Sequence, residues 1–278
     1  MGQVAGQEEI DHKIAEEYAI VGHSQGGQAA LFGASMHGGY ASPGRLVGVA
    51  ALAPASNLKG DDLPPFGPAP PAGENGLLRA YRSPTVEDVG DLGGFYVLFT
   101  NGVVGGDPRL KDRLGQIFQP EVLAKYDEDY DDKARVELSA DSFWMERPPL
   151  ALDRPRGIFR VQRHLNGDMI TEWDWYWDQV EKFTPRVKIP APIRISQARG
   201  DLRVVPDKTE KLLAQLEDIP GQGPITREFR DGDLADPDPH GLGEHFGLLV
   251  DPTEVTRLVR WVNGRRARES LPVDGRSS

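Results

Sequence analysis

The chain has 278 residues, of which 38% are hydrophobic and 27% charged, enough for one sizeable core plus a cap. A net charge of −11 and a pI near 5.1 argue against nucleic acid and anionic membrane surfaces as partners, because both would repel the chain. The absence of cysteine excludes disulfides and leaves the redox compartment open.

The N-terminal segment carries no targeting pattern. Met1 to Glu17 has no hydrophobic centre, and no apolar run in the chain approaches a spanning length, so we expect neither a signal peptide nor a transmembrane helix. Gln7 to Glu17 is instead typical of a helix. The sequence contains no clustered His or Cys spacing, phosphate-binding loop or internal repeat, so it predicts no metal and no cofactor.

A short strand that runs into a Gly-x-Ser-x-Gly sequence is the most informative feature of the chain. Tyr18 to Val21 has the character of a buried strand, and Ser24 stands at the centre of the motif. Small residues follow, as a helix packed against a sheet requires, so the pattern is that of a nucleophile elbow. We predict that Gly22 and Gly26 must lack bulk beside the strained turn and that Ser24 is a nucleophile.

A long insertion separates two groups of strand patterns. Leu46 to Leu52 is predicted to be the strand after the elbow helix, whereas the next strand pattern begins only near Pro192. We therefore expect residues 1–58 and 191–278 to form the core and residues 59–190 to form a separate, mainly helical cap.

The insertion itself divides into a loop and a helical part. Lys59 to Thr85 is rich in Pro, Gly and Asp and is predicted to be a loop, whereas Val86 to Lys133 has helical periodicity. One apolar stripe of the helical part consists of Phe95, Leu98 and Phe99. Two interpretations of Trp173 to Trp177 stay open: core packing, or the wall of a pocket for an apolar ligand.

Asp201 is the candidate acid that would orient a base for Ser24. It stands just past the predicted strand that opens after Pro192, and a helix with Leu212, Leu213 and Leu216 on one face follows. The alternative is an aspartate that only closes or caps a turn, which is a common role for this residue type. The position after the penultimate strand favours the functional interpretation.

Two histidines, His240 and His245, lie downstream of Asp201 and are the candidates for the base. Both follow the last predicted strand, Thr226 to Phe229. We favour His245 because it is closer to the last helix, predicted to run from Pro252 and to stop at Asn263-Gly264. His23, inside the elbow, is expected to shape the turn or the pocket wall.

Together these positions resemble the α/β-hydrolase superfamily, in which serine, acid and histidine follow one another in this order. The length of the insertion and the sequences Gly94 to Phe99 and Phe118 to Leu123 are similar to the secretory lipase family of triacylglycerol lipases. The resemblance extends from about Tyr18 to Trp261 and implies an α/β-hydrolase fold with a helical cap.

The resemblance also implies an activity, which is the hydrolysis of carboxylic esters or lipids through an acyl-enzyme. Ser24, Asp201 and His245 match the triad of the family. The Gln25 backbone N–H matches the first oxyanion-hole donor, and the substrate pocket would include His23, Phe95 and Phe99. The partner would be a small-molecule substrate. The resembled family is largely secreted, and the compartment of this chain stays open.

The sequence departs from the family before Ser24, where only 23 residues stand. The resembled sheet has several strands there and the loop with the second oxyanion-hole donor. We therefore expect Tyr18 to Val21 to lie at a sheet edge with unpaired backbone groups. Three explanations stay open: a truncated chain, a subunit completed by another chain or by oligomerisation, and a self-sufficient minimal hydrolase.

Two further function classes also stay open. One is a catalytically weak fragment that acts as a binding or assembly module. The other is a serine peptidase or acyltransferase on the same scaffold, since the elbow does not reveal the leaving group.

Overall fold

The structure is a computed structural model that describes residues 17–39, 44–58, 97–130, 132–145, 162–163, 169–170, 174–201, 203–231, 234 and 244–268. The described residues form two compact units, one from the segments up to Asn57 and from Thr184 onward, the other from Leu58 to Phe183. We call them the sheet unit and the helical unit.

The helices and strands follow one another along the chain. In order they are β1 (Glu17–His23), α1 (Gln25–Ser35), β2 (Arg45–Leu52), α2 (97–106), a 3-10 helix (Pro108–Gln116), α3 (Pro120–Asp129), α4 (Arg135–Ala140), α5 (Ser142–Met145), β3 (Gln162–Arg163), β4 (Met169–Ile170), α6 (Asp174–Glu181), β5 (Ile193–Ala198), α7 (Pro206–Glu217), β6 (Ile225–Arg230), α8 (Gly247–Val250) and α9 (Pro252–Arg268).

The sheet unit contains a parallel sheet with the strand order β1-β2-β5-β6. Seven of the eight residues of β2 and all six of β5 are buried, as is usual for parallel strands covered on both faces. Val21 pairs with Ala50 and Ala51 pairs with Ile195, so the ends of β1, β2 and β5 align at one edge. This edge is where a functional site of such a sheet is expected.

Helices cover the two faces of this sheet. On one face, Leu31 of α1 and Leu212 and Leu216 of α7 pack with β2 and β5 around Ile193 and Ile195. On the other face lies α9, whose buried Glu254 accepts hydrogen bonds from Ser196 at 2.6 Å and from Arg194 at 2.5 Å. The burial of this ion pair ties α9 to β5 because an unpaired buried charge is strongly destabilising.

The prediction that the last helix stops at Asn263-Gly264 is wrong. Helix α9 continues to Arg268, and Gly264 does not adopt the left-handed conformation that ends many helices at glycine. The guanidinium of Arg265 lies 5.2 Å from the centre of the Trp261 ring, a contact one helical turn apart that favours continuation.

The helical unit has its own apolar core. Its largest fully buried side chains are Phe118, Tyr126, Trp144 and Tyr176. The polar groups of two of these side chains have hydrogen-bond partners. Trp144 Nε1 donates to Asp129 at 2.9 Å, and the Tyr176 hydroxyl lies 3.0 Å from the Thr100 hydroxyl. Tyr176 therefore belongs to this core, and burial raises its pKa to about 12.

Several predictions for the insertion fall outside the described residues. These positions are the loop from Lys59 to Thr85, Phe95 and Trp173. Phe99 is described: it is half-buried against the core of the helical unit, with its ring centre 6.3 Å from that of Phe183. None of the helices in the described ranges is long and apolar enough to cross a membrane.

Candidate functional site

Ser24 occupies a sharp turn between β1 and α1. Its φ of 56° and ψ of −123° lie in a region that residues with a side chain rarely adopt, and such strain is typical of functional positions. The backbone N–H of Ser24 donates to the carbonyl of Leu52 at 2.8 Å, and its own carbonyl accepts from Gln28 N–H at 3.1 Å. The turn is therefore held by β2 on one side and by α1 on the other.

One of the two glycines that the sequence suggests must lack bulk at this turn has that role in the structure. A Cβ atom on Gly22 would lie 1.9 Å from the carbonyl oxygen of Gly26, so position 22 must be glycine, as predicted. A Cβ atom on Gly26 would meet no atom of the described residues within 4 Å, so the prediction of a size limit there is wrong. The tighter position is Gly27, whose Cβ would lie 3.2 Å from Gly22, Leu52 and Pro54.

The start of α1 supplies backbone donors beside Ser24. Gln25 is the first residue of the helix, so its N–H is one of the four that an α-helix leaves without an intrahelical partner. The partial positive charge at this helix end favours a negative charge near the serine. The geometry is thus suited to an oxyanion at the Ser24 side of the turn.

Asp201 and His245 form a buried pair in the sheet unit. Asp201 follows β5 after a two-residue turn, and His245 precedes α8. Nδ1 of His245 lies 2.8 Å from Oδ2 of Asp201, and the two residues are exposed to 0% and 1%. An aspartate that accepts from Nδ1 fixes the orientation of the imidazole ring and leaves the lone pair on Nε2.

The other carboxylate oxygen of Asp201 is bound by the backbone. Oδ1 accepts from the N–H of Arg203 at 2.9 Å and from the N–H of Val204 at 2.8 Å. The aspartate therefore closes a turn and also contacts His245, and its role as the acid of a triad stays a prediction. The turn orients the carboxylate toward His245.

Gln197 is a polar neighbour of Asp201 that the sequence reasoning did not single out. It is fully buried in β5, and its Nε2 donates to Asp201 Oδ2 at 3.1 Å and to the Val204 carbonyl at 2.9 Å. Its Oε1 accepts from the Thr209 hydroxyl at 2.6 Å, which fixes the orientation of the amide. The strand also contains Arg194 and Ser196, so the sequence offers no signal that distinguishes Gln197 for this role.

Glu244, the residue before His245, is hydrogen-bonded to the same turn. Its carboxylate accepts from Gly200 N–H at 3.0 Å and from Leu234 N–H at 3.2 Å, and its own N–H donates to the Gly200 carbonyl at 3.2 Å. The contacts with Gly200 join segments 44 positions apart. The sequence reasoning missed Glu244 because no local pattern marks such a contact.

His23 lies beside His245. Nε2 of His23 donates to the backbone carbonyl of His245 at 2.8 Å, and the two ring centres lie 4.5 Å apart. Burial, followed by the nearby His245, lowers the pKa of His23 to about 4. His23 is thus neutral near pH 7, and its Nε2 is occupied by the His245 carbonyl.

Nε2 is the ring nitrogen of His245 that does not contact Asp201. It is buried and has no hydrogen-bond partner among the described residues, so the structure does not join it to the Ser24 hydroxyl. The described residues thus bring Asp201, His245 and His23 together, with Ser24 adjacent to His23 in the chain. His240 and Phe95 lie outside the described residues, and Phe99 lies in the helical unit.

The described residues contain no group of three or more His, Cys, Asp or Glu side chains able to hold a metal ion. The site consists instead of a serine at a strained turn, a buried histidine–carboxylate pair and the backbone donors of a helix start.

Comparison with known proteins bears on the fold. No protein-family model matches the sequence, and no curated protein matches it either. The rice cell wall degrading esterase LipA from Xanthomonas oryzae is similar in structure, with a TM-score of 0.54 at 13% identity over 94% of this chain and 63% of that one. Lipase A of Candida antarctica in its closed state has a TM-score of 0.50 at 13% identity, over 92% of this chain and 51% of that one.

The chain therefore spans less than two thirds of the length of these two solved structures. At this level of identity the likeness bears on the fold alone. Together with the parallel sheet β1-β2-β5-β6 and its flanking helices, it shows that the chain has an α/β-hydrolase fold, as the sequence predicted.

Proposed function

We propose that this protein is a serine hydrolase that cleaves carboxylic esters through an acyl-enzyme. The observation that carries the proposal is one connected arrangement in the sheet unit. The strand that ends at the strained Ser24 is bonded through His23 to His245, and His245 is bonded to the buried Asp201. This is the set of groups that an activated serine nucleophile needs.

The proposed reaction has two halves. In the first, Ser24 Oγ forms a bond to the ester carbonyl carbon while His245 Nε2 takes the hydroxyl proton, and the bond to the leaving alcohol then breaks as that proton is returned to it. In the second half, water attacks the acyl-enzyme with the same base, which releases the acid and restores Ser24. Asp201 holds the ring and stabilises the imidazolium that forms.

The proposal requires one contact beyond the described geometry, between Ser24 Oγ and His245 Nε2. Catalytic hydrogen bonds are often long in the absence of substrate and shorten when it binds. Nε2 of His245 is buried without a donor among the described residues, which supports this step because such an acceptor is costly and gains from a hydroxyl. The Gln25 N–H would receive the oxyanion, and a site with a single donor would turn over more slowly by a factor on the order of 10²–10³.

An ester is the proposed substrate class rather than a peptide. The similar structures are those of an esterase and a lipase, enzyme classes whose substrates release an alcohol, and this favours an alcohol over an amine as the leaving group. The assignment to the secretory lipase family and the roles of His23, Phe95 and Phe99 in substrate binding stay predictions. A serine peptidase or acyltransferase is the alternative on the same scaffold.

Covalent labelling tests the nucleophile and its base. A fluorophosphonate probe should modify the wild-type protein and fail to modify Ser24→Ala and His245→Ala. Ser35→Ala is the matched control, because Ser35 ends the same helix and its hydroxyl donates to the Phe32 carbonyl at 2.7 Å. Labelling that survives His245→Ala and is lost in His240→Ala would reject His245 as the base.

Substrate assays test the reaction class. We expect p-nitrophenyl esters to be cleaved and peptide amides to be left intact. Faster cleavage of a proline-terminated amide than of any ester would reassign the protein to the peptidases. Labelling at Ser24 without turnover of any ester would support the catalytically weak binding module.

We also propose that the protein associates through β1. This strand lies at the edge of the described sheet, and Val21 on it is 50% exposed. Edge strands with apolar side chains tend to pair with another chain. For the purified protein that chain is a second copy.

A further inference from the structure

The bond between His23 and His245 crosses the longest sequence separation among the contacts of the site. The two residues are 222 positions apart, and His23 directly precedes Ser24 in the chain. One side chain thus reaches from the strand that carries the serine to the backbone of the residue that carries the imidazole.

Two other contacts of this segment run toward Asp201 and its turn. Nδ1 of His245 is bound to Asp201 itself, and Glu244 is bound to Gly200 in the turn before it. These contacts orient the ring with respect to the end of β5. The His23 contact adds the orientation with respect to β1, which is the strand that ends at Ser24.

The chemistry of His23 suits a donor that carries no charge. A ring that donates from Nε2 keeps its lone pair on Nδ1, so Nε2 of His23 does not act as a base. Burial holds the pKa of His23 at about 4, so the ring is neutral at neutral pH. A neutral neighbour 4.5 Å away does not oppose the positive charge that His245 would acquire during catalysis.

The geometry points to His23 as a positioning residue that fixes the backbone of His245 relative to Ser24, an inference that rests on the proposed function. This role differs from substrate binding, because the Nε2–H of His23 is engaged by the His245 carbonyl. The ring also packs on Phe246, with centres 5.5 Å apart, so its shape contributes to the same segment.

Three variants of the full-length chain separate the donor from the shape of the ring. His23→Phe keeps a ring and removes the donor, His23→Leu removes both, and His23→Gln keeps an N–H donor. His37→Leu is the matched control: this histidine is also half-buried and hydrogen-bonded, but to the Tyr18 hydroxyl at the far end of β1.

Ester hydrolysis is the first measurement. We expect His23→Phe and His23→Leu to lower kcat for a p-nitrophenyl ester by about 10-fold to 100-fold with KM nearly unchanged, because a small misplacement of a catalytic group acts on the chemical step. His23→Gln should recover at least part of this loss, and His37→Leu should retain wild-type kcat. Equal losses in the Gln and Phe variants, or wild-type kcat in His23→Phe, would overturn the inference.

Proton NMR is the second measurement and does not depend on turnover. The Nδ1 proton of His245, held between His245 and Asp201, should exchange with water faster in His23→Phe than in the wild type by about 10-fold, and His23→Gln should be close to the wild type. If the wild-type protein cleaves no ester, the proposed function fails while this signal still tests the positioning role. An exchange rate unchanged in both His23→Phe and His23→Leu would overturn it.

Discussion

Gly22 lies so close to Gly26 that a Cβ atom on the first would stand 1.9 Å from the carbonyl oxygen of the second. The contact is with backbone, which cannot move aside as a flexible side chain does. Gly22→Ala should therefore force the turn apart, lower the free energy of unfolding by about 3 kcal/mol and abolish labelling of Ser24. Urea denaturation and the fluorophosphonate reaction measure the two effects.

Gly26→Ala is the control for this prediction. A Cβ atom there meets nothing within 4 Å among the described residues, and the position lies in the first turn of α1. Alanine is a better helix former than glycine, so the variant should be as stable as the wild type or gain about 0.5–1 kcal/mol. Equal destabilisation of the two variants would contradict the described elbow.

The buried amide of Gln197 provides a second prediction. Gln197→Leu removes the donor to Asp201 Oδ2 and leaves the Val204 carbonyl and the Thr209 hydroxyl without this partner. We expect a loss of about 1–3 kcal/mol in stability and about a 10-fold lower kcat, because the carboxylate that orients His245 is less well held.

Two further variants sharpen the test of Gln197. Gln197→Glu would bring a second carboxylate close to Asp201, so it should impair activity more than Gln197→Leu does. Gln215→Leu is the matched control, since Gln215 is half-buried in α7 and donates to Asn57 at 3.0 Å, outside the Asp201 turn. A normal kcat in both Gln197 variants would show that the amide only supports the fold.

Much of the fold could be predicted from the sequence because it depends on local patterns. The strands predicted at 18–21, 46–52 and 226–229 correspond to β1, β2 and β6, and the small residues after Ser24 correspond to α1. The pattern of apolar and small residues in a strand or helix depends on which of its side chains are buried. This pattern can be recognised within a short stretch of sequence.

The supporting contacts of the site could not be predicted in this way. Gln197, Glu244 and the donor role of His23 depend on side chains that meet only after the sheet is assembled. Nothing in the residues next to them in sequence marks the partner. The prediction of a size limit at Gly26 was wrong for a related reason. The motif indicates which positions hold small residues, but the backbone that each of them contacts depends on the folded structure.

The low pKa of His23 predicts a pH dependence of stability. Its pKa is about 4 in the folded chain against 6.5 for an ordinary histidine, so between these values the unfolded chain binds more protons. Stability should be fully present above about pH 6.5 and fall as the pH drops to about 4. The contribution should be about 2 kcal/mol, after allowance for solvent screening of a side chain that is not fully buried.

The measurement is urea denaturation of the wild type and of His23→Phe at pH 7 and at pH 4. The stability difference between the two pH values should be smaller in His23→Phe, because that variant has no group to protonate at position 23. The same pH dependence in both proteins would contradict the assignment to His23.

The edge position of β1 predicts that the purified protein associates. Val21 on this strand and Val259 on α9 are exposed to 50% and 51%, so a lysine at either site adds a charge at similar exposure. Lysine on an edge strand opposes pairing with another strand. Val21→Lys should therefore shift the protein toward monomer in light scattering at increasing concentration, whereas Val259→Lys should behave as the wild type.

Amide exchange across residues 17–23 should slow with concentration in the wild type and in Val259→Lys only, because pairing protects the backbone N–H groups of the strand. A wild-type protein that stays monomeric, with these amides strongly protected at every concentration, would show that β1 needs no second chain.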